Sequence, residues 1–497
     1  MLNRILYWNC IFTAGFLLLL SSYGCHKESF TSNPVDKIRI EPDTLRFDTV
    51  FTTIGSATRF LKIYNPNKDF IKIDRISILS GNASDFRLNV DGIAKQTVEN
   101  VEIGPHDSIY LFCDVTVDPD EPLEASPFIK HDSILVEYNG NQELVHLIAW
   151  GQNANYYPQK SNKGQVSVID LQGGSLIWND PKPYILYGIV VIENGVLKIE
   201  SGTQIHAWGG LTKAEDSDGN VFFYNDGRLI IGSSARIEVI GTKEKPVIFQ
   251  GVRLEPGFKD IPGQWGGIFI DAESKGNILE FAVIKNNLIG IYIDSLAELK
   301  IANTRIYNNS QYGILSSSAK LVIQNCLLYH QGQSSLFVTI GGEIECNYST
   351  FANLGNSEPA VYLSNAQCID FPFCGIVYKH PLVANFSNCI ITGSDEDELW
   401  LVEDNFVSFS PAFQNCLYRI KELLTPFPNF ESKYTQNCMN YKSLQQLFVD
   451  FTKGDFHLDS LSVANGKAIP IPTLLLDLDC KPRDGQLPDL GCFEKIQ

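Results

Sequence analysis

Three things are missing from this sequence of 497 residues. There is no basic run: Lys and Arg number 39 against 57 Asp and Glu, a net charge of −18. Such a chain repels phosphate backbones, so nucleic acid is excluded as a partner. There is no CxxC pair among the 12 cysteines and no tight cysteine spacing, so a dense disulfide framework is not expected. No His or Asp cluster accompanies the cysteines that recur in the central repeats, so neither a metal nor another cofactor is expected. What is present is enough apolar material to fold: 44% of residues are hydrophobic, and the chain is too long for one ordinary domain.

The opening MLNRILYWNCIFTAGFLLLLSSYGC has one early cation, Arg4, and an apolar run ending at Leu20. Residues 1–24 read as a secretory signal, too short and wrongly flanked for an ordinary membrane span. Ser22-Tyr23-Gly24-Cys25 resembles a bacterial lipobox, although Ser22 and Tyr23 depart from its usual residues. The resemblance implies lipidation of Cys25 and a membrane tether that does not span. Ordinary cleavage before an unmodified Cys25 is the alternative. His26-Lys27-Glu28 resembles the surface-export tags of Bacteroidota lipoproteins. That implies an outer membrane lipoprotein on the cell surface or the periplasmic face.

Residues 25–36 are polar and read as a linker. RFLKIYN, FIKIDRISIL, SIYLFCDVTV, SILVEY and LVHLIAW then alternate apolar and polar residues between turn residues, which predicts a β-sandwich over 37–154. Phe47-Asp48-Thr49-Val50, Tyr64-Asn65-Pro66, Ile103-Gly104-Pro105 and Trp150-Gly151 resemble the elements of immunoglobulin-like domains of the ASH/MSP kind. The resemblance implies a spacer or adhesion module.

Beyond residue 165 a phrase repeats. LKIANTRIYNNSQ, KLVIQNCLLYHQG, EIECNYSTFANLG, ANFSNCIITGS and PAFQNCLYRIK align Ile306, Leu328, Phe351, Ile391 and Tyr418 in one column. Asn303, Asn325, Tyr348, Asn388 and Asn415 align three residues earlier, followed by Thr304, Cys326, Ser349, Cys389 and Cys416. A period of about 22 residues with three short strands per unit predicts a parallel β-helix over 165–451, about a dozen coils stacked at roughly 4.8 Å. Asn tolerates left-handed backbone, so the four Asn are expected at tight bends, with amides bonding along the stack as a structural ladder. The small neighbours fit a narrow corner, and Cys326, Cys389 and Cys416 are expected as packed thiols. The gaps of 40 and 27 residues before the last two members need an insertion or a missed coil.

GTKEKPVIF and the closing GDFHLDSLSVANGKA…LDLDCKPRDGQLPDLGCFE resemble segments of exported right-handed β-helix proteins. This resemblance implies a right-handed solenoid and a cap over 452–497. Asp477, Asp479, Arg483, Pro488, Asp489, Gly491 and Glu494 match the closing pattern. Arg483 with the carboxylates Asp477, Asp479, Asp489 and Glu494 is read as a structural ion-pair cluster. Cys480 and Cys492 are candidates to pair. The fold class is therefore all-β: an immunoglobulin-like β-sandwich, then a right-handed parallel β-helix with a C-terminal cap.

Right-handed β-helices include polysaccharide lyases and glycosidases, but fold alone does not give function. Arg419-Ile420-Lys421 matches one phrase of polygalacturonase-like enzymes, and the other three phrases are missing. Asp271, Glu280, Lys285, Asp294 and Arg305 read as scattered surface groups. Asp216, Asp218 and Asn220 alternate as in calcium loops, but Gly227 stands where an EF-hand needs Glu, so they are weak candidates. The run 394–405, SDEDELWLVEDN, reads as an exposed insertion, with Trp400 packing into the core. The reading is thus a non-catalytic envelope protein with a structural or binding role. Its expected partners are the membrane, through the lipid, and an extracellular glycan. A polysaccharide lyase or hydrolase and a protein adhesin are the alternatives. A strip of aromatic residues would favour glycan binding; carboxylates converging on adjacent coils would favour an enzyme.

Overall fold

The computed structural model describes residues 29–51, 56, 58–116, 128–152, 154–157, 166–209, 211–215, 221–225, 227–254, 258–370 and 372–495. Cys25, Asp216, Asp218 and Asn220 lie outside the described residues. The chain divides into two units, 1–152 and 153–497.

In the first unit, period-two alternation produces two sheets. One joins Phe70–Ile78, Thr97–Ile103, Phe128–Tyr138, Asn141–Gln152, Thr44–Phe51 and the short Phe30–Thr31. The other has the order Arg39–Glu41, Arg59–Tyr64, Ser108–Val115, Phe86–Val90, Ile93–Ala94. Leu61, Ile63, Ile71, Ile73, Leu111 and Val136 form a shared core. Phe30–Thr31 falls inside the stretch read as linker, and pairs with Phe70–Ile71.

In the second unit each coil supplies one strand to each of three parallel sheets, here A, B and C, with 11, 9 and 10 strands. A representative turn runs Ala282–Lys285 in A, Ile291–Ile293 in B, Glu298–Ala302 in C, then Arg305–Asn309 back in A. Ile306, Leu328, Phe351, Ile391 and Tyr418 stand in register inside sheet A, all buried. The C-to-A bend is left-handed at Asn303, Asn325, Tyr348, Asn388 and Asn415, with φ between 47° and 58°. At the start of sheet B glycine is required by crowding: a Cβ on Gly290 would sit 2.4 Å from the Gly313 carbonyl.

The 40-residue gap is an insertion, an antiparallel hairpin of Ala366–Cys368 and Val377–Lys379 closed by a Cys368–Cys374 disulfide. Cys480 and Cys492, considered as a pair from sequence, are both free. The solenoid also begins earlier than residue 165: Asn155–Tyr157 already pairs with Tyr184–Leu186 in sheet A.

The C-terminal segment does not close the solenoid end. Leu447, Phe448, Phe456, Leu458, Leu490 and Phe493 pack instead on the outer side chains of sheet A, Leu327, Ala352, Ile390 and Leu417. The end is filled by residues 420–434, which replace the sheet-B strand of the last coil. Phe430 packs there on Phe413 at 5.8 Å and Tyr418 at 5.5 Å. The physical reason is apolar: residues 420–434 carry Leu423, Phe430 and Tyr434 for the exposed core, whereas the final segment matches a long apolar flank.

Candidate functional site

The three outer faces of the solenoid differ in chemistry. Sheet C shows alternating charges in exposed pairs, Lys198–Glu238 at 3.7 Å and Lys320–Glu343 at 3.7 Å. Such a face is well solvated, and its ion pairs add little. Sheet A is covered over its later coils, from Leu327 to Leu417, by the C-terminal segment. Sheet B has short strands whose central residue points outward. Those residues form one unbroken column over nine coils: Val168, Val191, Ile230, Phe269, Tyr292, Leu315, Phe337, Tyr362 and Trp400. Every member is apolar or aromatic, and none is buried. At the ordinary strand spacing the column runs about 38 Å.

From Phe269 onward it is aromatic except at Leu315. Phe337 and Tyr362 stack at 4.3 Å with 9° between planes, Tyr312 adds a ring 4.7 Å from Phe337, and Phe269 meets Tyr292 at 5.6 Å. The Arg228 guanidinium lies 4.9 Å over Phe269. Trp400 stands in this outer column, half-buried, and as expected also packs against the solenoid core, to which its buried neighbours Leu399 and Leu401 belong.

A row of carboxylates borders the column. Asp170 and Glu193 end two paired strands, and Asp271 and Asp294 directly follow the paired strands Gly267–Ile270 and Ile291–Ile293. Burial pushes the Asp271 carboxyl up, and Asp294 and Glu193 push it further. Burial, then Asp294, raises the Tyr292 phenol to about 12. Asp271 and Asp294 are thus neighbours on adjacent coils, not the scattered groups that the sequence suggested. Arg305 and Lys285 lie on sheet A, and Glu280 ends a strand of sheet C. Among the described residues no three of His, Cys, Asp and Glu form a metal-binding set.

The Asn column of the C-to-A bend is occupied differently from expectation. One amide bond runs along the stack, from Asn325 to Asn303 at 3.2 Å. Otherwise the Asn side chains hold the C-terminal segment: Asn325 donates to the Leu476 carbonyl at 2.8 Å, Asn388 to Ile469 at 2.8 Å and Asn415 to Lys467 at 3.3 Å. Tyr348 interrupts the amides, and main-chain bonds such as Asn325 to Asn347 already satisfy the bend. The small neighbours do bond along the stack. The Ala282 N–H donates to Thr304, that of Cys326 to Ser349 and that of Cys389 to the Cys416 sulfur. Cys326, Cys389 and Cys416 are buried and free.

A ladder of amide side chains exists instead at the A-to-B bend. The Asn287 N–H donates to Asn309 at 2.9 Å, and Asn309 donates to Gln331 at 2.9 Å, all buried. Asn287, Asn309, Gln331 and Asn353 recur every 22 residues, so the signal was in the sequence.

The closing carboxylates also divide their work. Only Glu494 pairs with Arg483, at 3.4 Å. Arg483 further donates to the Asn325 side chain at 3.0 Å and the Gly491 carbonyl at 3.0 Å, and stacks over Tyr348 at 3.9 Å. Asp477 accepts N–H groups of Asp479, Lys481 and Glu494; Asp489 accepts those of Gly466 and Lys495. Asp479 turns away to Arg305 at 3.1 Å and His457 at 2.9 Å. The single ion-pair cluster is therefore three separate devices, because one cation cannot neutralise four carboxylates and backbone N–H groups serve the rest. The run 394–405 is not an exposed insertion either. Glu398 is fully buried, accepts the N–H groups of Asp395 at 2.8 Å and Ala360 at 3.1 Å, and is raised by burial to about 8.

The family model described as the right handed beta helix region matches residues 184–345 and 258–379. No curated protein matches the sequence. The ASH/PapD-like domain 7 of human CEP192 is similar at 9% identity, covering 24% of this chain and 88% of that one, with a TM-score of 0.18. WR4, an MSP family member of C. elegans, is similar at 12% identity, covering 23% and 96%, with a TM-score of 0.16. The catalytic unit of a GH87 α-1,3-glucanase from Streptomyces thermodiastaticus is similar at 10% identity, covering 72% and 70%, with a TM-score of 0.21. At such identities and scores these likenesses carry no substrate or activity to this chain. The architecture is an immunoglobulin-like β-sandwich followed by a right-handed parallel β-helix.

Proposed function

We propose that this protein is a non-catalytic envelope lipoprotein, tethered through Cys25 at the outer membrane, that binds an extracellular glycan along sheet B. The observation that carries this reading is the outward column ending in Phe337, Tyr362 and Trp400. The half-exposed edges of these stacked rings form an apolar strip on which the C–H faces of pyranose sugars can pack, and the carboxylates beside the earlier coils can accept hydroxyl hydrogen bonds. A column that repeats at each coil offers the same contact repeatedly, which suits a polymer rather than a small molecule. The rows of unlike charge on sheet C offer no such apolar contact.

A second reading, a glycoside hydrolase, is favoured by one observation: Asp271 and Asp294 on adjacent coils beside Tyr292. A carboxyl raised by burial beside a second carboxyl group is an arrangement that acid–base cleavage of a glycosidic bond can use.

The test is native affinity electrophoresis of the chain from residue 26 onward through gels of host and plant polysaccharides. One polymer is expected to retard it, and Phe337→Ala/Tyr362→Ala is expected to weaken that retardation about tenfold. New reducing ends, lost in Asp271→Asn, would establish the hydrolase instead. Unchanged mobility across the panel would overturn both glycan readings in favour of a scaffold or a protein adhesin.

A further inference from the structure

The five-stranded sheet of the first unit has an outer face whose composition departs from the acidic bulk of the chain. Alternation sends Leu61, Ile63, Ile109 and Leu111 into the core and leaves Phe60, Lys62, Tyr64, Tyr110 and Phe112 outside. Strand register sets Phe60 opposite Phe112 and Lys62 opposite Tyr110. Phe60, Tyr110 and Phe112 are 57%, 39% and 38% exposed, large fractions for adjoining aromatic rings. Tyr110 and Phe112 lie 6.0 Å apart at 17°, and Phe60 stands 5.7 Å from Tyr110. Together they make a platform of three rings.

A cation sits within it. The Lys62 ammonium lies 4.5 Å from the Tyr110 ring and 5.3 Å from that of Tyr64, and pairs with no carboxylate among the described residues. Arg39 lies 4.7 Å over the same Tyr64 ring and shares its charge with Glu41 at 3.3 Å. In a chain of net charge −18, an ammonium held between exposed rings, with the Glu41 opposite it already shared with Arg39, is a local positive point. Among the described residues this outer face therefore combines an apolar platform with a positive point. That pairing complements a sugar that carries a carboxylate beside an apolar ring face.

We infer that this outer face of the sandwich, centred on Lys62, Tyr110 and Phe112, is a second carbohydrate site, and that its ligand class is an acidic polysaccharide. The site is independent of sheet B, whose carboxylate border disfavours such a polymer. A chain with both surfaces bridges two glycans of different charge, or two regions of one mixed polymer.

The test uses the chain from residue 26 onward, with polygalacturonate and hyaluronan as acidic probes and hydroxyethyl cellulose as the neutral one. At least one acidic probe is expected to retard the protein. Phe60→Ala/Tyr110→Ala/Phe112→Ala is expected to weaken that binding about tenfold, and Lys62→Gln about threefold with a flatter salt dependence. Phe337→Ala/Tyr362→Ala is expected to leave it unchanged. Because all these side chains lie on the surface, a thermal melt separates lost binding from lost folding, and Lys62→Gln removes no packed ring. Absence of retardation by both acidic probes would overturn the inference, as would retardation undiminished in the triple variant. A concentration-dependent dimer that the triple variant abolishes would also overturn it, and would assign the face to a second copy of this chain.

Discussion

Sheets A and B both turn apolar side chains outward, yet the two faces end differently. On sheet A, Leu327, Ile390 and Leu417 are sealed by the chain's own C-terminal segment. On sheet B, Phe337, Tyr362 and Trp400 stay partly exposed. An outward apolar column on a solenoid is thus a docking surface in waiting. Whether it serves folding or recognition depends on whether the same chain brings its own cover. The difference also explains the polar devices around sheet A. A covering segment that crosses many coils leaves main-chain groups unmatched, and Asn325, Asn388, Asn415 and Arg483 satisfy them.

The comparison breaks most readily at Arg483. Arg483→Ala leaves Glu494 buried without its cation and frees the carbonyl of Gly491. A loss of about 3–5 kcal/mol is expected, concentrated in the covering segment. Hydrogen exchange should then rise at Leu327, Ile390 and Leu417 while glycan binding on sheet B persists.

Glu398 tests the other side, since it supports the coil that carries Trp400. Its carboxyl is raised from the ordinary 4.5 to about 8 by burial. The folded state therefore holds a proton that the unfolded state releases between these values. The contribution is complete below pH 4.5 and is lost as pH rises through 8, on the order of 5 kcal/mol in all. Urea unfolding at pH 5 and pH 9 should show this fall, and Glu398→Gln should flatten it.

Matched truncations sharpen the contrast further. Ile390→Ala opens a cavity under the covering segment and is expected to cost about 3 kcal/mol of stability. Tyr362→Ala removes a ring already partly in water and is expected to cost about 1 kcal/mol, with its main effect on glycan affinity. Equal stability losses would remove the distinction between the faces. A small effect is expected at the corner between sheets C and A. Cys416→Ala takes away the acceptor of the Cys389 N–H and should cost about 1 kcal/mol, with Cys416→Ser restoring most of it, since Ser349 already fills the equivalent place. Thermal melts of the three proteins decide it.

Repetition made much of this legible. Each coil meets its neighbour at the same position, so the inner column Ile306, Leu328, Phe351, Ile391 and Tyr418 and the left-handed Asn bends could be read from spacing alone. The ladder of Asn287, Asn309 and Gln331 was equally readable but was overshadowed by the more frequent Asn-Cys phrase. The sheet-B strands could be read as recurring phrases, IGIYI, YGILS, SLFVT and AVYLS, but the outward column that they carry could not. Its strands are as short as three residues, Ile291–Ile293 or Leu336–Val338, and alternation cannot be recognised over so few positions. The same holds for Asp271 and Asp294, whose meeting depends on how the intervening bends use their length.

What the sequence by itself determined is the local rule: the period, the bends, the inward residues and the alternation of the sandwich, all short-range consequences of side-chain size and backbone preference. Only the tertiary structure decided which outward face is covered. In Cys326-Leu327-Leu328-Tyr329 both leucines are equally apolar, and one faces the solenoid core while the other meets the C-terminal segment. That choice rests on contacts between residues more than a hundred positions apart, such as Tyr348 with Ile469, and burial of apolar surface is indifferent to how far apart along the chain its partners lie.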